Sequence, residues 1–355
     1  MPHTMPSAPV DREGWDTFFG ELRQAPSGLY EHAPSGVTFS PSGTLGQGVY
    51  GEVTLFKASP ECGASFCVKR IEEDAADEIA AIEWVNRKPN SVRCAVAECA
   101  VLSRWTCRDG RGEEYTCADV GMRAYEGSLG KYTEHPGSPA FARGVCVVLA
   151  SHVDRLWKAG AAYCDMKPQN VLYAWNDGKM RVVLGDLGSI ALRGSSQNGL
   201  FTFPPRRAMR QSSKHLDGIA VPEERDMVWG VAIMILSILK GGPWVNARLC
   251  CGSIRGSRGG TQAALDRCGA AVLHALAGLR AKHSPSADME ACAQAVELGL
   301  RGWEGGSATL DEMRSLLLVE CPVTPSPPKA KRRLDDASPS ERAHKRTARN
   351  IFPTT

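Results

Sequence analysis

The sequence has no apolar run long enough to cross a membrane. Its longest, Val228 to Leu239, counts 12 residues even with Gly230 and Ser237 included, whereas a spanning helix needs ~20. That stretch is expected as a buried helix. Residues 1–30 lack the apolar core of a secretory signal. Cysteine is plentiful at 13, but the number is odd, no Cys-x-x-Cys pair occurs, and Cys250 and Cys251 are adjacent. Free thiols in a reducing compartment fit that usage better than a disulfide framework. The eight histidines are dispersed, which leaves no zinc pattern to read. A net charge of +3 is too small to imply nucleic-acid binding through overall electrostatics. No internal repeat is visible. What remains is the expectation of a soluble intracellular protein, with 355 residues giving room for about two compact units.

Residue patterning divides the chain into four parts. Residues 1–39 are rich in Pro and Ser and read as a flexible leader, although Trp15, Phe18, Phe19 and Leu22 have the spacing of a short amphipathic helix. Residues 40–124 read as a sheet-rich unit with one main helix. Strand-type runs alternate with glycines from Val37 to Val68. A helix is predicted from Glu73 to Arg87, with Ile79, Ile82 and Val85 on one face. Strands over Val92–Leu102 and Tyr115–Met122 flank a turn at Arg108–Glu113. Residues 125–320 are helical, with runs at Phe141–Ala159, 226–240, 262–281, 287–301 and Leu310–Leu318, and a basic glycine-rich loop at 252–261. Residues 321–355 carry Pro, Lys and Arg without hydrophobic periodicity and read as a disordered basic tail. Within it, Lys329-Ala330-Lys331-Arg332-Arg333 and Lys345-Arg346 predict the nuclear import machinery as a partner.

The chemistry centres on Tyr163-Cys164-Asp165-Met166-Lys167-Pro168-Gln169-Asn170. An Asp, a Lys two residues on and an Asn three beyond that form the layout of a phosphotransfer loop. The carboxylate can accept a proton from an attacking hydroxyl, the amide can hold Mg²⁺, and the ammonium can offset charge on the moving phosphoryl group. Upstream, Gly46-Gln47-Gly48-Val49-Tyr50-Gly51-Glu52-Val53 is a G-x-G-x-x-G-x-V run. Its glycines let backbone N–H groups approach phosphate oxygens with no Cβ in the way. A dinucleotide-binding turn would run into a helix; here the strand-like Glu52–Phe56 follows, which predicts a flap between two strands. Lys69 ends a buried strand-like run, Phe66-Cys67-Val68, and would be costly there unless it met anions. Asp186, in Gly185-Asp186-Leu187-Gly188, follows another such run. With Asn170 it offers the hard oxygen ligands that Mg²⁺ prefers.

This order of motifs resembles the eukaryotic-like protein kinases over roughly residues 40–318. The resemblance implies an α+β, bilobal protein kinase fold, with a small β-rich N-lobe carrying one main helix and a larger helical C-lobe. It implies a serine/threonine protein kinase that uses ATP and Mg²⁺ and phosphorylates protein substrates. Gly46, Gly48, Gly51 and Val53 would cover the nucleotide, with Lys69 between its phosphates and a Glu of the following helix. Glu78 and Glu83 compete for that last role. Glu78 is preferred, because the residue one turn on should be apolar, and Glu78 gives Ile82 where Glu83 gives Arg87. Asp186 and Asn170 would hold the metal, Asp165 would be the base, and Lys167 matches the family's serine/threonine signature.

Three departures from the family pattern carry expectations of their own. His-Arg-Asp is replaced by Tyr163-Cys164-Asp165. Tyr163 can take over the packing of the His, but Cys164 cannot bind an activation-segment phosphate, so activity is expected not to need that modification. The Ala-Pro-Glu motif is expected at Pro204-Pro205 rather than Val221-Pro222-Glu223, because Asp226, the buried acid of Asp226-Met227-Val228-Trp229-Gly230, follows too closely. An ion pair between that Glu and a distant Arg is expected to be missing, since Gly305–Met313 stands where the family supplies the Arg. This manner of departure resembles the herpesvirus-encoded protein kinases, which implies the nucleus and cytoplasm of a host cell. Neither a membrane nor direct nucleic-acid contact is expected. Two alternatives stay open: a phosphotransferase for small molecules, against which Lys167 argues, and an inactive kinase-fold scaffold, against which the retention of Lys69, Asp165 and Asp186 argues.

Overall fold

The computed structural model describes residues 9, 11–48, 51–59, 64–72, 74–132, 138–176, 178–193, 199–200, 219–241 and 261–318. Its N-terminal half is built on one antiparallel sheet. The strands are β1 (Leu22–Gln24), β2 (Tyr30–His32), β3 (Val37–Gly48), β4 (Gly51–Ser59), β5 (Ser65–Ile71), β6 (Cys99–Arg108) and β7 (Glu114–Arg123). They lie in the order β1-β2-β3-β4-β5-β7-β6. Three helices accompany them: α1 (Arg12–Glu21), α2 (Ala76–Asn86) and the short α3 (Asn90–Arg93).

Side-chain alternation along β5 sorts the two faces of this sheet. Phe66 and Val68 point into an aromatic cluster with Trp15, Phe18, Phe19, Tyr30, Phe39 and Phe56. Phe66 stacks on Phe56 at 5.5 Å and meets Phe39 edge-on at 5.2 Å. On the opposite face, Ile71 joins Ile79, Ile82 and Val85 of α2 in the main core, and Lys69 reaches α2 as well.

Two expectations are corrected here. Residues 11–39 are not a flexible leader: Asp11 caps α1 by accepting the N–H of Gly14 at 2.8 Å, and α1 buries Trp15, Phe18 and Phe19 against the sheet. Pro and Ser content pointed to a loose segment, but four large apolar side chains at helical spacing outweigh it. The strand predicted from Val92 begins only at Cys99. Asn90–Arg93 is helical, and the following turn gives its backbone groups to the other lobe: the N–H of Ala97 donates to the carbonyl of Leu184 at 2.8 Å, and that of Leu184 to Ala95 at 3.0 Å.

Beyond β7 the chain turns helical. It runs through β8 (Gly127–Ser128), α4 (Leu129–Tyr132), α5 (Pro139–Lys158), β9 (Ala161–Tyr163), β10 (Val171–Asn176), β11 (Lys179–Leu184), β12 (Ile190–Leu192), β13 (Gly199–Leu200) and β14 (Ile219–Ala220). It continues through α6 (Glu224–Lys240), α7 (Thr261–His283), α8 (Ala287–Trp303) and α9 (Leu310–Leu317). The apolar run is α6, and every residue from Asp226 to Leu239 is buried. Glycine lets α8 close on it: a Cβ at Gly299 would stand 2.3 Å from Ala232 Cβ. Trp229 and Trp303 stack beside that contact at 5.4 Å. No helix among the described residues is long and apolar enough to cross a membrane. Pro204-Pro205 and the basic tail at 321–355 lie outside the described residues, as does all but the last residue of the loop at 252–261.

Candidate active site

The site is assembled by a hairpin. Strands β10 and β11 pair antiparallel from Val171 opposite Leu184 to Asn176 opposite Lys179. Asn170 and Gly185 therefore sit side by side at its two feet, where the N–H of Gly185 donates to the carbonyl of Asn170 at 2.7 Å. Asp186 follows at once. A second pairing, β9 with β12, runs Tyr163 beside Ile190, and the N–H of Cys164 donates to the carbonyl of Ser189 at 2.9 Å. These two pairings bring Asp165, Asn170 and Asp186 to one place.

Asp165 is enclosed by the loop that carries it. The Asn170 amide nitrogen donates to the Asp165 carboxylate at 2.8 Å and to its backbone carbonyl at 3.1 Å. The Lys167 ammonium pairs with the same carboxylate. Burial pushes the Asp165 carboxyl above its ordinary value, against the pull of Lys167 and Asn170 and with the help of nearby Asp186. A carboxylate made more basic in this way is better suited to accept a proton.

Lys69 stands on the other side of the cleft. Its ammonium donates to both oxygens of Glu78, at 2.7 and 3.0 Å, and to Asp186 at 2.8 Å. The nine-residue spacing from Lys69 to Glu78 thus suffices, and Glu83 instead pairs with Arg104 at the surface. Burial works against the charge on Lys69, but Glu78 and Asp186 more than compensate and hold its pKa above the usual lysine range. Burial likewise raises Glu78, opposed by Lys69. Gly188 makes room for this arrangement, since a Cβ there would lie 3.2 Å from Glu78 Oε2.

The glycine run lies at the adjoining ends of β3 and β4, with residues 49–50 between them outside the described residues. Gly46 pairs with Val53 and Gly48 with Gly51 across β3 and β4, and Val53 lies opposite Lys69 on β5. Gly51 has φ +145°, and a Cβ at that position would fall 1.8 Å from the carbonyl oxygen of Arg70. No other residue type fits there.

Asp186 is the only non-glycine residue with positive φ among the described residues, at φ 50°. That backbone twist leads directly into the turn over Leu187–Ser189. Its Oδ2 is held by the Ser189 hydroxyl at the long distance of 3.4 Å. The Asn170 amide nitrogen is engaged by Asp165, which leaves its carbonyl oxygen to meet a cation. This pair of oxygen donors fits Mg²⁺.

The departures from the expected loop have structural answers. Tyr163, fully buried, donates its hydroxyl to the carbonyl of Gly185 at 2.6 Å, tying the start of the Asp165–Asn170 loop to the residue before Asp186. It shares one core with Leu187 and Ile82. Cys164 is buried, and burial pushes its thiol well up. Glu223 is the cap of α6 and exchanges hydrogen bonds with Asp226, whose carboxylate accepts the Glu223 N–H at 2.7 Å. Arg225 pairs with Glu223 at 2.7 Å and donates to the carbonyl of Gly305 at 2.9 Å. Gly230 admits Met166 of the Asp165–Asn170 loop, whose Cβ would lie 3.1 Å from an added methyl.

Sequence reasoning missed a second ionic cluster at the junction of the lobes. Glu98 is fully buried, Arg181 of β11 lies 2.6 Å from it, and the Tyr125 hydroxyl donates to it. Its signal was an acid inside an otherwise apolar stretch, Ala95 to Val101.

No protein-family model matches the chain, and no curated protein is similar to it in sequence. Among solved structures, that of vaccinia related kinase 3 superposes with a TM-score of 0.51 and covers 86% of this chain and 94% of that one. The chain has the protein kinase fold. Identity to that neighbour is 12%, so the likeness carries the architecture alone. In this chain the junction between the sheet-based and helical parts is where Lys69 and Glu78 meet Asp186, beside the loop from Asp165 to Asn170.

Proposed function

We propose that this protein is an ATP- and Mg²⁺-dependent protein kinase that transfers the γ-phosphoryl group to serine or threonine of protein substrates. The observation that carries this reading is the single ion cluster Lys69–Glu78–Asp186, formed across from Asp165, Lys167 and Asn170. An inert scaffold has no need to hold two ammoniums and three carboxylates so close together, because burying unneeded charge costs stability.

In this reading Lys69 binds the α- and β-phosphates and is aimed by Glu78. The flap from Gly46 to Gly51 covers them with backbone N–H groups. Asp186 and Asn170 would hold Mg²⁺, which would supply positive charge to offset that of the phosphates. Asp165 orients the acceptor hydroxyl and takes its proton, and Lys167, freed from its pairing with Asp165, turns to the transferring group. Positioning and electrostatics supply most of the acceleration. Lys167 also supports a serine or threonine acceptor, and Cys164 supports activity without activation-segment phosphorylation. Nuclear import through the basic tail remains part of this proposal, with its residues outside the described structure.

The test is transfer of labelled γ-phosphate from ATP·Mg²⁺ to a panel of Ser, Thr and Tyr peptides, with Asp186→Asn beside the wild type. Label on Ser or Thr in the wild type alone is the expected result. ATP binding without transfer in either would replace the enzyme with a scaffold.

A further inference from the structure

One buried cation lies far from the cleft and has no part in the chemistry above. Arg12, at the start of α1, is 5% exposed. Its Nη1 donates to the carbonyls of Arg93, Val96 and Ala97, the latter two at 3.0 and 3.4 Å. Its Nη2 donates to the side chain of Asn86 at 3.2 Å. Asn86 is the last residue of α2, two turns beyond Glu78, and its own amide donates to the carbonyl of Cys99 at 3.3 Å. Two further contacts bind α1 to the same place: Asp16 pairs with Arg93, and Asn90 donates to Glu13 at 3.2 Å.

The turn that receives Arg12 is also the turn that grips the other lobe. Ala95 and Ala97 exchange backbone hydrogen bonds with Leu184, and Glu98 holds Arg181 on the same strand. Leu184 is two residues from Asp186. A single guanidinium therefore fixes the end of the helix that carries Glu78 and the outer side of the turn whose inner side sets Asp186. Carbonyl oxygens converging on a buried cation form charge-assisted hydrogen bonds, which are stiffer than neutral ones. A small apolar helix tip would have sufficed to cover the aromatic cluster, which Trp15, Phe18 and Phe19 already seal.

We propose that Arg12 is a positioning residue for phosphoryl transfer and that α1 is a built-in activating element. Docked through Arg12, it holds α2 and the 93–98 turn so that Glu78 and Asp186 meet Lys69 together. This rests on the kinase reading above.

The test compares full-length wild type, Arg12→Met, Arg12→Lys, Glu78→Gln and the Arg12→Met/Glu78→Gln double variant. Amide hydrogen exchange is read at Ala97 and Leu184, and kcat and KM for ATP are measured separately. Arg12→Met should speed exchange at those two amides while amides in the β4–β5 ladder keep their protection. Its kcat should fall about tenfold, the scale of one lost charge-assisted hydrogen bond, with KM little changed. In the Glu78→Gln background the same substitution should cost no more than about twofold, because both act through one ion cluster. Arg12→Lys, which keeps the charge but cannot reach all four acceptors, should fall between, and it carries the comparison if Arg12→Met does not fold. Unchanged exchange at Ala97 and Leu184 would overturn the proposal, as would a kcat loss that adds in full to that of Glu78→Gln. If the wild type transfers no phosphate, the kinase reading falls, and the exchange pattern alone decides whether Arg12 couples the two lobes.

Discussion

At the cleft, Lys69 shares its charge between Glu78 and Asp186; at the junction of the lobes, Glu98 shares its own between Arg181 and Tyr125. Both clusters are ionic and both are largely withdrawn from water; one joins β5 and α2 to Asp186, the other joins the turn before β6 to β11, the strand that precedes Asp186. They differ in what their outer edges face. Side-chain exposure is 28% for Asp186 and 15% for Lys69; in the other cluster the acid Glu98 shows none, and the member that meets water is Arg181, at 26%. One cluster leaves a carboxylate within reach of solvent, and the other seals its carboxylate behind its own partners. The difference separates a site from a rivet. A buried ion pair alone says little about chemistry, since its attraction roughly offsets the loss of hydration; an ion pair with an open edge and a second acid within reach says a good deal.

The sharpest way to break this comparison is to remove one charge from each cluster. Lys69→Met or Asp186→Asn should take phosphoryl transfer to background, a loss of about 10³-fold or more by analogy with deleted electrostatic stabilisers; in Asp186→Asn, which leaves Lys69 paired with Glu78, the thermal midpoint should move little. Equal loss of folding would erase the distinction. Asp165→Asn should lower kcat by about 10²–10⁴-fold, the range for general base catalysis. Because burial raises the Asp165 carboxyl, and the reaction needs its charged form, the acid limb of the wild-type kcat profile should begin at a higher pH than for an exposed carboxylate. A profile flat down to the ordinary carboxylate range would argue that Asp165 takes no proton.

The closed cluster should respond in stability instead. Glu98→Gln should cost about 3 kcal/mol in urea unfolding, at the lower end for a broken buried pair because Arg181 retains some access to water. Burial alone would raise Glu98, but Arg181 and Tyr125 overcome it and hold the carboxyl below its usual value. Its contribution is therefore present above the ordinary carboxylate pKa and lost as pH falls through the lower folded value. Glu98→Gln should flatten that part of the stability curve and leave activity per folded molecule intact. The smallest effect belongs to Cys164: with a buried thiol in place of an arginine, phosphatase treatment should leave turnover unchanged, and a loss would reveal another phosphate receptor.

The contrast also explains what could be read before the fold was known. The clustering of Lys69, Asp165, Lys167, Asn170 and Asp186 was legible because each stands at a strand end or in a short loop within a run of recognisable spacing. Glu78 required one more step, the apolar Ile82 on the next turn. Glu98 and Arg12 were not legible, because their partners lie 83 and up to 85 residues away and are, for Arg12, mostly backbone carbonyls that leave no trace in side-chain patterns. For the N-terminal segment the spacing of Trp15, Phe18, Phe19 and Leu22 announced a docked helix while the Pro and Ser content argued for a loose leader. What decides between the two is an aromatic surface contributed by Phe39, Phe56 and Phe66 from farther along the chain.

One feature of the site sets a freedom as well as a constraint. Asn170 and Asp186 stand at the two feet of β10 and β11, and the ladder between them fixes their separation without reference to how far the hairpin extends. The tip, between Asn176 and Lys179, is a turn with Gly178 at φ 72°. Added length there would alter neither foot, since loop closure grows only slowly with chain length. This makes the tip a natural port for grafting: a reporter or affinity peptide inserted beside Gly178 would stand at the far end of the six-pair ladder from Asn170 and Asp186 and leave their spacing as it is.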